Sequence, residues 1–176
     1  MKTLNSALLL FLFAVISGCG QNSSSHTVKI GCAAPLTGDQ AQLGIDTCLG
    51  VKLAVSQANE KRTGVPGMKF EVLTLDDQHN PAQAVNVAKK FVSDPDILGV
   101  AGQFNSSCTK PSSAIYHEAG LVQITPASTN PELSKQGFNT FFRMAATDDV
   151  QGPKADRKST RLNSSHSDRS RMPSSA

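Results

Sequence analysis

The sequence predicts an α/β fold: a parallel, Rossmann-like sheet with helices on both faces. Three observations predict it. Short apolar runs of strand length alternate with longer stretches whose apolar residues recur at helical spacing. The order reads βαβαβαβαβ, which right-handed crossovers close into one parallel sheet. One helix start is spelled out by cap chemistry, with Asn80 as N-cap, Pro81 in the first helical position and Gln83 in the third.

Taken in order, VKIGCAAP (Val28 to Pro35) is a buried strand ended by proline. Gln42 to Lys61 forms a helix with Ile45, Cys48, Leu49, Val55 and Ala58 inward. Lys69 to Asp77 alternates as a second strand. The helix opened by Asn80 turns Val85, Ala88, Phe91 and Val92 inward and sets Lys89 and Lys90 near its negative end. Asp94-Pro95-Asp96 turns the chain into a third strand, ILGVAGQF. A helix over 105–120, a strand over 121–126, a short helix capped at Asn130-Pro131-Glu132 and a strand from Asn139 to Ala146 follow. Ligands of such sheets bind beyond the carboxyl ends of the strands. Those ends are Pro35 to Gly38, Gln103 to Ser107 and Pro126 to Thr129.

Both termini read differently from this body. A single lysine and an apolar run from Ala7 to Ile16 make an export signal, too short to span a bilayer. Ile16-Ser17-Gly18-Cys19 resembles a bacterial lipobox. It marks residues 1–18 as a cleaved lipoprotein signal, Cys19 as the lipidation site and 19–27 as a flexible tether. The expected location is therefore extracytoplasmic: periplasmic or cell-surface, held by a lipid anchor. Export permits disulfides. Three cysteines remain beyond Cys19, and Cys32 and Cys48 read as small buried hydrophobes. One bridge among Cys32, Cys48 and Cys108 stays open, and their spacing is not that of a zinc site.

Formal net charge is +3, but Asp156 to Ala176 carries five of the 17 basic residues and two of the 14 acidic ones. The rest is balanced, so no basic face is expected for nucleic acid. The composition of 156–176 is that of a disordered segment. Common sequencing-adapter DNA, translated in frame, gives DRKSTRLNSSH and SRMPSSA, the residues Asp156 to His166 and Ser170 to Ala176. The expectation is a natural domain over 28–155 followed by an artefactual tail.

Enzyme signatures are missing. No G-x-G-x-x-G follows the first strand, and there is neither a P-loop nor a G-x-S-x-G elbow. Asp76 and Asp77 read as turn and surface residues. His79 and His117 lack partners at ligand spacing and read as exposed. Neither catalysis nor a cofactor nor a metal is expected. The strand ends instead offer binding groups. Asn105-Ser106-Ser107 opens a helix whose first amides lack internal partners and whose dipole favours an anion. Ala127 to Thr129 add backbone N–H, backbone C=O and a hydroxyl. Either run alone reads as a helix cap. Together, at neighbouring strand ends, they suggest a grip for an α-amino acid.

Four blocks then carry a resemblance: PLTG, DDQHNPAQAVNVAKKFV, GQFNSSCTKPSSAIYHEAGLVQITPASTNPEL and FRMAATDDVQGP. Across Val28 to Ala155 the chain resembles the leucine/isoleucine/valine-binding protein family, the type I extracytoplasmic solute-binding proteins of ABC importers. The resemblance implies two α/β lobes closing on an amino acid, with an ABC permease in the membrane as partner. It implies that Ser106 takes the ligand carboxylate, that the Ala127 carbonyl receives the ammonium, and that Thr129 contacts the zwitterion through hydroxyl and amide. Leu43 falls on a pocket-wall position that is aromatic in well-known members. The family's first-lobe disulfide would join the positions held here by His79 and Asn105, so that bridge is absent. By the same resemblance the chain is a truncated first lobe, with most of one sheet and half of the clamp. Receptor ectodomains share the two-lobed fold, which makes a ligand-binding sensor the alternative.

Overall fold

A computed structural model describes residues 26–61 and 67–156. The expected signal peptide, Cys19, the expected tether as far as residue 25 and the tail from 157 lie outside the described residues, whereas His26 and Thr27, assigned to the tether, already belong to the first strand. Among the described residues, a helical stretch over 148–156 follows five strands, β1 (His26–Ala34), β2 (Met68–Asp76), β3 (Ile97–Gly102), β4 (Val122–Thr125) and β5 (Phe141–Arg143), which alternate with four helices. These are α1 (Ala41–Lys61), α2 (Pro81–Val92), α3 (Ser106–Glu118) and α4 (Glu132–Lys135). All neighbouring strands pair in parallel, in the order β2-β1-β3-β4-β5. The expected α/β sheet with helices on both faces is present. Its order reverses between β1 and β3, which puts the crevice of such a sheet beyond those two strands.

The pleat of β1 separates two cores, because successive side chains point to opposite faces. Ala33 packs with Val87, Ala88 and Phe91 of α2, with Val100, and with Tyr116 of α3. Cys32 and Ala34 pack on the other face against Cys48 and Val51 of α1. Asn80 caps α2 as expected, its side-chain oxygen accepting from Ala82 N and Gln83 N at 2.9 and 3.2 Å. The buried face of that helix is Ala84, Val87, Ala88 and Phe91, so Val87 takes the place assigned to Val92, which is exposed.

Two other expectations are corrected, and one strand is polar inside. Cys32 and Cys48 are buried, but as partners in a disulfide with Cα atoms 5.8 Å apart; Cys108 is the free, buried thiol. The inward stripe of α1 runs through Gly44, Cys48, Val51 and Val55, while Ile45 and Leu49 are exposed. In β4 the polar Gln123 and Thr125 are buried and the apolar Val122 and Ile124 exposed. Register explains the reversal. Gln123 pairs with Val100 and so shares the face that α2 and α3 cover, whereas Ile124 pairs with Ala101 and Phe142 on the opposite face. There α1 packs on β1 and β2 and leaves Leu98, Val122, Ile124 and Phe142 open.

Candidate functional site

The loops after β1, β3 and β4 meet at the carboxyl edge of the sheet, and each is held there by a specific bond. Beyond β1, Asp76 at the end of neighbouring β2 anchors residues 36–37. Its Oδ1 accepts from Leu36 N and its Oδ2 from the Thr37 hydroxyl, at 2.8 and 2.6 Å. Burial pushes this carboxyl's pKa up, but those bonds outweigh it and hold the group below the usual carboxylate range. Asp76 is thus a structural anchor for the loop that leads into Leu43. Asp77 is fully buried, not on the surface. Its Oδ1 accepts from His79 N at 3.0 Å, its Oδ2 has no partner among the described residues, and burial pushes its pKa up.

At the start of α3, the Asn105 carbonyl accepts from Cys108 N and Thr109 N. The Asn105 side chain does not cap the helix. It donates instead to Gln40 Oε1 at 2.8 Å, tying the β1 loop to the β3 loop across the point where strand order reverses. Ser106, half-buried in the first turn, accepts from Asn130 N at 3.3 Å, and its own proton has no acceptor among the described residues. That bond brings Ser106 together with the Ala127–Thr129 segment. Ala127 and Thr129 are half-buried, and no bond among the described residues engages the Ala127 carbonyl or the Thr129 hydroxyl. Leu43 lies in the first turn of α1 with 52% of its surface exposed.

Beneath these groups lies a buried polar network. Ser128 is 1% exposed and its hydroxyl stands 2.6 Å from Thr109 Oγ1. Thr125 Oγ1 donates to the Gln103 carbonyl at 2.7 Å and accepts from Ser128 N at 3.1 Å. Gln123 donates to the Gly102 carbonyl and to Gln103 Oε1, and Gln103 donates to the Tyr116 hydroxyl. Arg143 of β5 supports the outer side by donating to the Ser128 and Asn130 carbonyls at 3.3 and 2.8 Å. Sequence reasoning missed Gln40, Asp76, Ser128 and Arg143 as parts of the site, because each works through a partner distant in the chain.

Two further polar groups on α3 lie outside the clamp. Burial and the neighbouring Asp77 push the Cys108 thiol up to about 11, so it stays protonated at neutral pH. His117 was expected to be exposed but is half-buried. It stacks on Phe138 at 4.4 Å, with Nδ1 3.2 Å from Thr140 Oγ1.

This arrangement offers a donor hydroxyl, a helix start, an open carbonyl and a second hydroxyl. A family model described as periplasmic binding protein matches residues 27–157. The chain belongs to the periplasmic binding protein family. Its relatives include the leucine-, isoleucine-, valine-, threonine- and alanine-binding protein of Pseudomonas aeruginosa, 40% identical over 83% of this chain and 39% of that protein. The Leu/Ile/Val-binding protein of Escherichia coli is 36% identical over 81% of this chain and 40% of its own length. Among solved structures, an ABC transporter substrate-binding protein from Desulfitobacterium hafniense in complex with Leu superposes with a TM-score of 0.61. It is 33% identical, and the match covers 70% of this chain and 35% of that one. This member of the periplasmic binding protein family therefore spans about 40% of the length of the curated relatives it matches.

Proposed function

We propose that this chain is the first-lobe portion of an extracytoplasmic substrate-binding protein that delivers a branched-chain-type amino acid to an ABC permease. The observation that carries this reading is the set of free groups at adjacent strand ends: the Ser106 proton, the Ala127 carbonyl and the Thr129 hydroxyl. A carboxylate suits the Ser106 hydroxyl and the positive end of α3. An ammonium suits the Ala127 carbonyl and the Thr129 lone pairs. Leu43 contributes apolar wall for the ligand side chain. The groups bind and release without covalent chemistry, so the protein is a carrier and not an enzyme. The second lobe of the parent protein completes the cleft, and acylated Cys19 anchors it to the membrane.

Calorimetry on the full-length gene product tests the clamp. Ser106→Ala removes a hydrogen bond to a charged group, a class worth about 1.5–3 kcal/mol, and the expected result is amino-acid affinity reduced about tenfold or more. Thr129→Val is expected to cost a similar factor by deleting an acceptor for the ammonium. Wild-type affinity in both variants rejects the clamp. Metabolic fatty-acid labelling tests the anchor: incorporation is expected to vanish in Cys19→Ala, and label that persists unchanged rejects lipidation at this residue.

A further inference from the structure

Ser128 sits between two proposed contact residues, yet its own side chain is turned away from solvent and 1% exposed. Its hydroxyl lies within reach of two groups on the β3–α3 connection and one in the first turn of α3. These are the Gln103 carbonyl at 3.3 Å, the Phe104 carbonyl at 3.1 Å and Thr109 Oγ1 at 2.6 Å. Thr109 Oγ1 in turn reaches the Gln103 and Asn105 carbonyls at 3.2 and 3.1 Å. Each hydroxyl carries one proton, so the pair shares two protons between one mutual bond and one carbonyl at a time. Every such arrangement links the Ala127–Thr129 backbone to the residues that lead into Ser106. The Ser128 amide adds a second link, through Thr125 Oγ1, to the Gln103 carbonyl.

We propose that Ser128 is a positioning residue: its buried hydroxyl sets the distance between the carboxylate-binding and ammonium-binding halves of the clamp. This rests on the clamp reading above. The two halves come from different strand connections, and among the described residues the bonds between those connections that do not involve Ser128 are Asn130 N to Ser106 at 3.3 Å and Thr125 Oγ1 to the Gln103 carbonyl at 2.7 Å. A zwitterion presents its two charged groups at a fixed spacing, so it benefits only when both halves hold the matching spacing. A carboxylate without an ammonium uses one half and is indifferent to it. A buried, mutually bonded hydroxyl pair is stiff, because separating the two leaves a hydroxyl without its partner away from water.

The test compares L-leucine with isocaproate, the same skeleton without the ammonium, by calorimetry and displacement on the full-length gene product. Ser128→Ala is expected to weaken leucine about tenfold, the scale of one charge-assisted bond lost. Isocaproate should change much less, so that the ratio of the two affinities falls by nearly the same factor. Ser106→Ala is measured beside it and is expected to weaken both ligands. If Ser106→Ala weakens both while Ser128→Ala leaves the ratio unchanged, whether or not it lowers the melting temperature, Ser128 is only structural and the inference is overturned. Wild-type binding in Ser106→Ala overturns the clamp reading itself, and the inference with it. Should Ser128→Ala fail to fold, Thr109→Val deletes the partner hydroxyl while keeping its shape. A fall in the leucine-to-isocaproate ratio in that variant supports the positioning role, and an unchanged ratio overturns it.

Discussion

Cys48→Ala, or reduction of the Cys32–Cys48 bridge, is expected to lower folding stability by about 3 kcal/mol, the chain-entropy value for a loop of ~15 residues. The bridge closes a sequence separation of 16 and joins β1 to the first half of α1. Both cysteines are buried, so the loss is not masked by new solvation. Alanine at position 48 removes only one sulfur's worth of packing, and the main effect is on the unfolded chain, which regains a large ensemble. The site should feel it as well, since Gln40 and Leu43 ride at the start of the helix that the bridge holds down. Urea denaturation of the exported protein, with and without dithiothreitol, measures the effect. Coincident midpoints would mean that the bridge contributes nothing.

Gly44→Ala is expected to cost about 3 kcal/mol or more, the upper range for overpacking a closed contact. Gly44 is buried in α1, and a Cβ built there falls 1.9 Å from the Pro35 carbonyl oxygen and 2.6 Å from its carbon. Those are backbone atoms of the loop that Asp76 pins, so no side chain can swing aside. Either α1 lifts from the sheet or the loop from Pro35 to Gln40 moves. Elsewhere in the same helix the sign reverses. At Gly50 nothing lies within 4 Å of the added carbon. Gly50→Ala is therefore expected to stabilise by about 1 kcal/mol through helix propensity. Thermal unfolding of the two variants should move in opposite directions. A Gly44→Ala protein as stable as wild type would show that the helix does not approach the loop so closely.

The contrast between these glycines marks what a sequence can reveal. Local signals read well: Asn80 caps α2 as its neighbours dictate, and the order of elements specified the parallel sheet through crossover handedness. The placement of Ser106 and Thr129 on adjacent strand connections followed from that order. Pairings between distant residues did not. The odd cysteine count could not choose Cys32 and Cys48, and the exposure of Leu49 and Ile124 depends on which face of the sheet α1 covers. Asp77 looked like a surface turn residue because aspartate usually is one. Its burial comes from the sharp turn in which Gln78 and His79 both adopt positive φ, folding the carboxylate back under His79 N. Gln40 and Asn105 are 65 residues apart, and nothing in either neighbourhood announces their bond.

The most direct test of the central claim is a crystal structure of the full-length gene product with L-leucine bound. The ligand carboxylate is expected about 3 Å from Ser106 Oγ, with the ammonium at a similar hydrogen-bonding distance from the Ala127 carbonyl and Thr129 Oγ1. Leucine lodged elsewhere, with Ser106 still holding only Asn130 N and the Ala127 carbonyl unengaged, would contradict the account.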